Sequence, residues 1–178
     1  MSRCVALLRA VNVGRRKVPM AELRELCATL GWTDIGTYIQ SGNVVFSADA
    51  APAALEAQLE KALAERFGFA VDVIVRSAAQ WAAHAAANPF PEASGARPNL
   101  VMLLVSKSPP RKEAANGLQA RACDGEQVAL AGDALWIDYP AGSGRSKLTP
   151  TLIDRTIGSP ATSRNWRTVM KLGEMLAQ

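Results

Sequence analysis

Hydrophobic positions in the first half of the chain recur with the periods of successive strands and helices. Apolar residues run together where a buried strand is predicted and recur every three to four positions where a helix is predicted. In chain order these are a strand at 3–11, a helix at 19–31, strands at 35–40 and 43–46, a helix at 52–68 and a strand at 71–75. Ser41-Gly42 between the central strands suits a tight turn, because glycine accepts positive φ. This β-α-β-β-α-β order is typical of a ferredoxin-like unit.

The second half repeats much of this order. In chain order we predict a helix at 77–87, a linker rich in Pro and Gly at 88–98, a strand at 99–105, a helix at 109–122, strands at 127–130 and 134–139, and a helix that begins at Pro150. Thr149 is the expected N-cap of that last helix, and Pro150 its first residue. A fourth strand is not evident in the pattern.

These elements predict an α+β fold of two ferredoxin-like βαββαβ lobes. The second lobe is expected to be incomplete and to be closed by a C-terminal amphipathic helix. We place the first lobe at residues 1–76 and the second at 77–178, and we expect the two to pack as one unit.

The final helix is predicted to begin within residues 162–168 and to separate charge from apolar surface. At helical spacing Arg164, Arg167 and Lys171 share one stripe, and apolar residues lie roughly opposite. Two of these cations would stand in the first turn, where the free N–H groups and the helix dipole already favour anions. This arrangement predicts a negative partner, which is either an acidic side chain of the protein or a phosphate or carboxylate ligand.

Charge is spread unevenly along the chain, whose net charge is +4. Residues 1–20 and 141–178 are basic, and the middle of the chain is acidic. If the two ends meet in the folded protein, they form one positive surface. The residues predicted to bind an anion are Arg9, Asn12, Arg15, Arg16, Lys17, Arg145, Lys147, Arg164 and Arg167.

Two loops carry most of these residues. The loop at 12–17 leads from the first strand into the first helix, and Gly14 lets its backbone turn tightly. It has neither a dinucleotide-binding fingerprint nor a P-loop, so it is either a solvated basic loop or an anion site. The loop at 142–147 is either a flexible connector or a ligand loop whose glycines and cations hold phosphate oxygens.

The turn between the second and third strands gathers polar groups. Tyr38, Gln40, Ser41 and Asn43 are the predicted ligand-orienting residues, since the aromatic ring offers a stacking face and the others exchange hydrogen bonds. The alternative is that Ser41 and Asn43 satisfy the backbone of the turn.

No catalytic constellation is visible. His84, the only histidine, lies in an alanine-rich stretch where a structural role is expected, and nothing suggests a nucleophilic triad. The three cysteines have no metal-ligand spacing, so we expect free thiols, no metal and no cofactor. The first apolar run is too short for a signal peptide or a membrane span, which favours a cytoplasmic protein without a membrane partner.

Three strings carry a resemblance to a known family. They are ALLRAVNVG, KVPMAELRELCATLGWTDIGTYIQSGNVVF and the closing TSRNWRTVMKL, which together reach from the first strand to the last helix. With them the chain resembles the bacterial DUF1697 family, a domain of unknown function. The resemblance implies an α/β chain of ferredoxin-like character and supplies no catalytic residue. Arg15 stands where the family usually has a second glycine after Gly14, which makes the loop more basic.

The leading functional hypothesis is a non-catalytic or weakly catalytic binding protein whose basic surface holds an anionic partner. Nucleic acid is the first candidate, because ferredoxin-like sheets can present stacking residues between cations. The alternative is an enzyme or sensor for a small phosphorylated or carboxylated metabolite. A structural or partner-binding module is the third class.

Overall fold

The computed structural model describes all residues, 1–178, and they divide into two compact units. The first unit comprises residues 1–82 and 172–178, and the second comprises residues 83–171. The sequence-based division at residue 76 assigned the whole final helix to the second lobe. In the structure the last residues of that helix group with the first unit instead.

The first unit is built on a four-stranded antiparallel sheet. Its elements are β1 (Ser2–Leu8), α1 (Met20–Thr29), β2 (Thr33–Tyr38), β3 (Asn43–Ala48), α2 (Pro52–Phe67) and β4 (Val73–Ser77). The strand order is β2-β3-β1-β4, with β1 and β3 in the centre. The predicted ferredoxin-like order is confirmed.

The second unit has the same topology. Its elements are the end of α3 (Ala78–Ala86), then α4 (Pro91–Ala96), β5 (Val101–Ser106), α5 (Ala114–Gln119), β6 (Gln127–Ala131), β7 (Ala134–Asp138), a short 3-10 helix (Ser143–Arg145), α6 (Pro150–Ile157), β8 (Ala161–Asn165) and the start of α7 (Trp166–Leu176). Its strand order is β6-β7-β5-β8.

The expectation that the second lobe lacks a fourth strand is wrong, because β8 completes it. Residues 161–165 pair antiparallel with β5, and Arg164 lies opposite Leu103. The segment Ala-Thr-Ser-Arg-Asn has no apolar alternation, so only its pairing with β5 makes it a strand. Helix α7 therefore begins at Trp166 rather than near residue 162. The linker at 88–98 likewise contains a helix, α4, that the sequence pattern did not predict.

The core of the first unit lies between its sheet and helices α1 and α2. Leu23 and Leu59 are fully buried there, and the rings of Trp32 and Phe46 stack with centroids 3.8 Å apart. The β2–β3 turn comes so close to this core that residue 42 must be glycine. A Cβ at Gly42 would lie 2.7 Å from the Val11 side chain, and its φ of +81° disfavours any other residue.

Side chains of the helices accept hydrogen bonds from backbone amides on three outer strands of the sheets. On α2, Glu56 accepts a hydrogen bond from the Val75 amide at 2.9 Å and Glu60 accepts one from the Val73 amide at 2.8 Å. Gln119 of α5 accepts from Val128 on β6, and Asp154 of α6 accepts from Ala161 on β8. These bonds replace the water that an edge strand otherwise needs, and they discourage pairing with another chain.

None of the helices combines the length and the continuous apolar sequence that crossing a bilayer requires.

Replacing Glu56 by alanine tests the role of these edge contacts. Glu56 is buried, and its carboxylate also lies 3.8 Å from the buried Arg76 guanidinium. Glu56→Ala removes an acceptor from a buried amide and a buried cation, so we expect urea denaturation to give a free energy of unfolding lower by about 2–4 kcal/mol. Glu65→Ala is the control, since Glu65 lies exposed on the same helix and pairs with Lys61 only at 3.9 Å. It should change stability by less than about 0.5 kcal/mol, and equal losses in the two variants would contradict the edge role.

Candidate anion-binding site

The basic loop at 12–17 is held in shape by Asn12. This residue has a φ of +56°, and its amide donates to the carbonyl oxygens of Val18 at 3.0 Å and Gln40 at 2.7 Å. The side-chain carbonyl oxygen of Asn12 accepts a hydrogen bond from the backbone amide of Val18 at 2.9 Å. The side chain of Asn12 is thus occupied by the backbone of the loop, as is common for Asn in turns.

Two of the predicted cations in this region are also used within the fold. Arg16 donates to the carbonyl oxygens of Ala10 and Ala70 at 2.8 and 2.7 Å, and its guanidinium lies 4.8 Å from the centre of the Phe69 ring. Arg9 forms an ion pair with Asp72 at 3.5 Å. Arg15 and Lys17 are exposed and have no side-chain partner in the chain.

The polar groups of the β2–β3 turn mainly satisfy the turn itself. Asn43 is fully buried and donates to the Tyr38 carbonyl at 2.9 Å and to the Ser41 hydroxyl at 3.0 Å. Gln40 is exposed, and its backbone carbonyl holds Asn12. Tyr38 is half-buried. These contacts match the turn interpretation of Ser41 and Asn43, and a ligand-orienting role for the four residues stays a prediction.

The tail differs most from its sequence-based interpretation. Arg164 lies in β8 and not in the final helix, its side chain is 8% exposed, and it donates to the Thr162 hydroxyl and the Ser163 carbonyl. Burial lowers the pKa of Arg164 to about 10. In α7 the Asn165 side chain accepts from the Thr168 amide at 2.9 Å and so caps the helix. Only Arg167 of the predicted pair is exposed in the first turn, where it has no side-chain partner.

The loop at 142–147 is ordered by a buried glutamate. Ser143–Arg145 form a short 3-10 helix, and the Ser146 hydroxyl donates to the Glu126 carboxylate. Glu126 is 3% exposed and also accepts from the backbone amides of Cys123 and Asp124 at 3.1 and 2.8 Å. Arg145 and Lys147 flank Ser146, are exposed and have no side-chain partner. The hydrogen bond between Ser146 and Glu126 therefore holds the backbone that carries Arg145 and Lys147.

The ionised carboxylate of Glu126 is the acceptor in these hydrogen bonds. The hydrogen bond from Ser146, helped by the backbone amides, lowers the pKa of the Glu126 carboxyl below its ordinary value of 4.5. Burial, with a smaller contribution from the charge of Glu126, raises the pKa of the nearby Tyr139 to about 12. At neutral pH the glutamate is ionised and the tyrosine is neutral.

A cavity of about 620 Å³ opens in the second unit beside α4. At its floor Arg97 donates to both carboxylate oxygens of Asp138, through Nε at 3.1 Å and through Nη2. Asp138 is 3% exposed, and this contact raises the pKa of the Arg97 guanidinium. Around this pair the cavity is lined by Pro89, Phe90, Pro91, Glu92, Ala93, Ala96 and Gln127.

Short-range hydrogen bonds hold the wall of the cavity. Asn88 accepts from the Phe90 amide at 2.9 Å and donates to the Ser94 hydroxyl at 2.7 Å. The Ser94 amide in turn bonds the Phe90 carbonyl at 2.9 Å. These hydrogen bonds therefore hold the turn that carries Phe90.

The cavity and the ordered basic loop are at the same end of the second sheet. Gln127 and Asp138 are directly opposite in the β6–β7 pair, and both line the cavity. Glu126 comes immediately before Gln127, and Ser146 binds it. The loop that carries Arg145 and Lys147 is therefore tied at the same end of the sheet as the cavity.

A shallower groove of about 480 Å³ holds Arg111 and Arg155. Arg155 lies in the last turn of α6, and the Arg111 guanidinium lies against Gly158, the C-cap of that helix. Cations at a helix C-terminus stabilise it through the helix dipole, which accounts for both residues within the fold.

Sequence reasoning missed the cavity residues Phe90, Arg97, Gln127 and Asp138. Phe90 and Arg97 lie in the segment at 88–98, where the pattern predicted a linker, and the pairing of Arg97 with Asp138 spans 41 positions. The motif Asn-Pro-Phe-Pro at 88–91 is the one local signal, since Asn before proline is typical of a turn. Nowhere in the chain do three or more His, Cys, Asp or Glu side chains gather as metal ligands.

The comparisons with known proteins identify the family. The model for a protein of unknown function, DUF1697, matches residues 1–136. This chain belongs to the DUF1697 family. No curated protein matches the sequence.

Among solved structures, the chain is similar to the conserved bacterial protein SP0830 from Streptococcus pneumoniae. The two are 23% identical over 98% of each chain, with a TM-score of 0.70. At this identity the likeness supports the fold alone. The suspected family and the α+β fold of two ferredoxin-like lobes are thus confirmed.

Glu126 predicts a specific pH dependence of stability. Because its pKa is lowered in the folded state, the Glu126 interactions stabilise the protein above pH 4.5 and are lost as the pH falls through the folded pKa. Glu126→Gln should therefore be less stable than the wild type at pH 7, and the difference in free energy of unfolding should shrink below pH 4.5. Urea denaturation between pH 3 and pH 7 measures both values.

The control for this experiment is Glu25→Gln, which removes one exposed carboxylate from the middle of helix α1. Its stability should follow that of the wild type at every pH. A constant gap between Glu126→Gln and the wild type across the whole range would show that the charge of Glu126 is not what secures the loop.

Proposed function

We propose that this chain is a non-catalytic or weakly catalytic binding protein for an anionic partner, with nucleic acid as the first candidate. The observation that carries the proposal is the pair Arg145 and Lys147, two exposed and unpartnered cations on a loop that the hydrogen bond from Ser146 ties to the buried Glu126. Phosphate groups bind well to cations whose backbone is already ordered, since less entropy is lost on binding.

The proposal rests on fewer residues than the sequence suggested. Five predicted cations are exposed and have no side-chain partner within the chain: Arg15, Lys17, Arg145, Lys147 and Arg167. Arg9, Asn12 and Arg16 are committed to internal contacts, and Arg164 is buried. The proposed contacts are Arg145 and Lys147, which share one loop of the second unit, so these four residues and the other three exposed cations are left out.

The proposed mode of contact differs from stacking on an open sheet. The central strands β1, β3, β5 and β7 are buried at nearly every position, so their side chains cannot receive a row of bases. Contact through cationic loops instead favours the phosphate backbone, which gives affinity with little sequence preference.

A second candidate function is the binding of a small phosphorylated or carboxylated metabolite. The cavity of about 620 Å³ supports it, because that volume lies in the range of small-molecule sites. Thermal-shift measurements with nucleotides and sugar phosphates test this alternative, since a ligand at 100 times its Kd adds about 2.7 kcal/mol of stability.

Salt dependence tests the leading proposal. Replacing Arg145 and Lys147 by alanine should remove two phosphate contacts. The slope of log affinity against log salt concentration should then fall in magnitude by about 1.4–1.8, as measured by fluorescence anisotropy with single- and double-stranded probes. The unfolding transition should stay unchanged, because neither side chain has a partner within the chain.

The matched control is Lys61→Ala with Arg66→Ala, which removes the same charge from helix α2. Lys61 is 79% exposed, and Arg66 pairs with Glu22. The control should keep the wild-type slope. An equal loss of slope in both double variants would mean that only net charge matters, and wild-type protein that shows no salt-sensitive binding to any probe would exclude nucleic acid.

A further inference from the structure

We propose that the cavity beside α4 receives a nucleobase, either of a free nucleotide or of an unstacked residue in a single strand. This inference rests on the proposed function and specifies which part of the partner enters the protein. It starts from three features of the cavity, which are its charge, its unused hydrogen-bonding groups and its apolar wall.

The charge of the cavity favours a neutral group over a phosphate. Arg97 is the only cation in the lining, and Asp138 already neutralises it through two hydrogen bonds. Glu92 adds a second carboxylate, so the lining is negative overall. An anion placed here would meet net repulsion, whereas Arg145 and Lys147, on the loop tied at the same end of the sheet, have no carboxylate partner.

The floor offers donors and acceptors side by side. Arg97 binds Asp138 through Nε and Nη2, which leaves its Nη1 group as a donor. Each Asp138 oxygen accepts from Arg97 and retains capacity for a further bond. The exposed Gln127 amide makes no hydrogen bond within the chain and supplies both a donor and an acceptor. This alternation matches the edge of a planar heterocycle that carries amino, imino and carbonyl groups.

The wall supplies a stacking surface. Phe90 stands between Pro89 and Pro91, and the hydrogen bonds of Asn88 fix the turn that holds them. Bases stack on aromatic rings with little dependence on sequence, so such a wall accepts any base whose edge the floor can satisfy. A base inside a duplex cannot reach it, which predicts a preference for free nucleotides or single strands.

The test uses the full-length protein and compares a homopolymeric single-stranded oligonucleotide with an abasic oligomer of the same length. The two probes carry the same phosphates and differ only in their bases. We expect the base-bearing probe to bind more tightly by about 5- to 100-fold. Phe90→Ala and Gln127→Ala should each remove most of this difference while leaving the affinity for the abasic probe unchanged.

Two features keep this test decisive. Gln127→Ala changes an exposed side chain without internal partners, so it reports on the cavity even if Phe90→Ala perturbs α4. Ile39→Ala, which shortens an exposed apolar side chain of the first unit, is the control and should bind like the wild type.

Saturation-transfer NMR with uncharged nucleosides separates the two sources of the base. Signals from a nucleoside that weaken in Phe90→Ala, together with no binding of either oligomer, would support the cavity for free nucleotides and overturn nucleic acid as the partner. Equal, salt-sensitive affinity for both oligomers in all variants would leave the proposed function standing and overturn the nucleobase inference. No nucleoside signal together with no base-dependent affinity overturns the inference as well.

Discussion

Every polar group that folding removes from water needs a hydrogen-bond partner, and this requirement organises both units. The edge strands β4, β6 and β8 each receive acceptors from the helix that precedes them in sequence, namely Glu56 and Glu60, Gln119, and Asp154. In each case the helix thus covers the sheet with its apolar face and closes the edge with a polar residue at its margin. The repeated device satisfies backbone amides on three of the four outer strands and discourages their pairing with other chains.

The same requirement decides which cations are free to bind a partner. Arg16 satisfies two backbone carbonyls, and Arg164 is buried in a strand. Arg145 and Lys147 differ from them because the buried Glu126 is satisfied by a hydroxyl and two amides and needs no cation. Their loop is ordered without using their charge. The proposed function depends on this combination of a loop tied to Glu126 and two cations that have no partner within the chain.

The fold could be predicted wherever the hydrophobic period was clear, as in α2, whose helix begins at Pro52 and ends before Gly68 as expected, and in α6 with its cap at Thr149. Strand β8 could not, because its polar sequence becomes a strand only through pairing with β5. Because β8 was not predicted, Arg164 was assigned to an exposed helix, although it lies in a buried strand. The cavity was not predicted, for a related reason. The Arg97–Asp138 pair joins residues that are distant in sequence, and no local sequence pattern indicates such a contact.

The most direct measurement of the central claim is a residue-resolved map of binding. Backbone amide shifts of the isotope-labelled protein, recorded while a single-stranded oligonucleotide is added, report where the partner sits. We predict the largest shifts at residues 142–148, at 88–97 and around Gln127, with little change along α2. Shifts spread evenly over the exposed cations of both units, or centred on α2, would contradict an ordered anion site in the second unit.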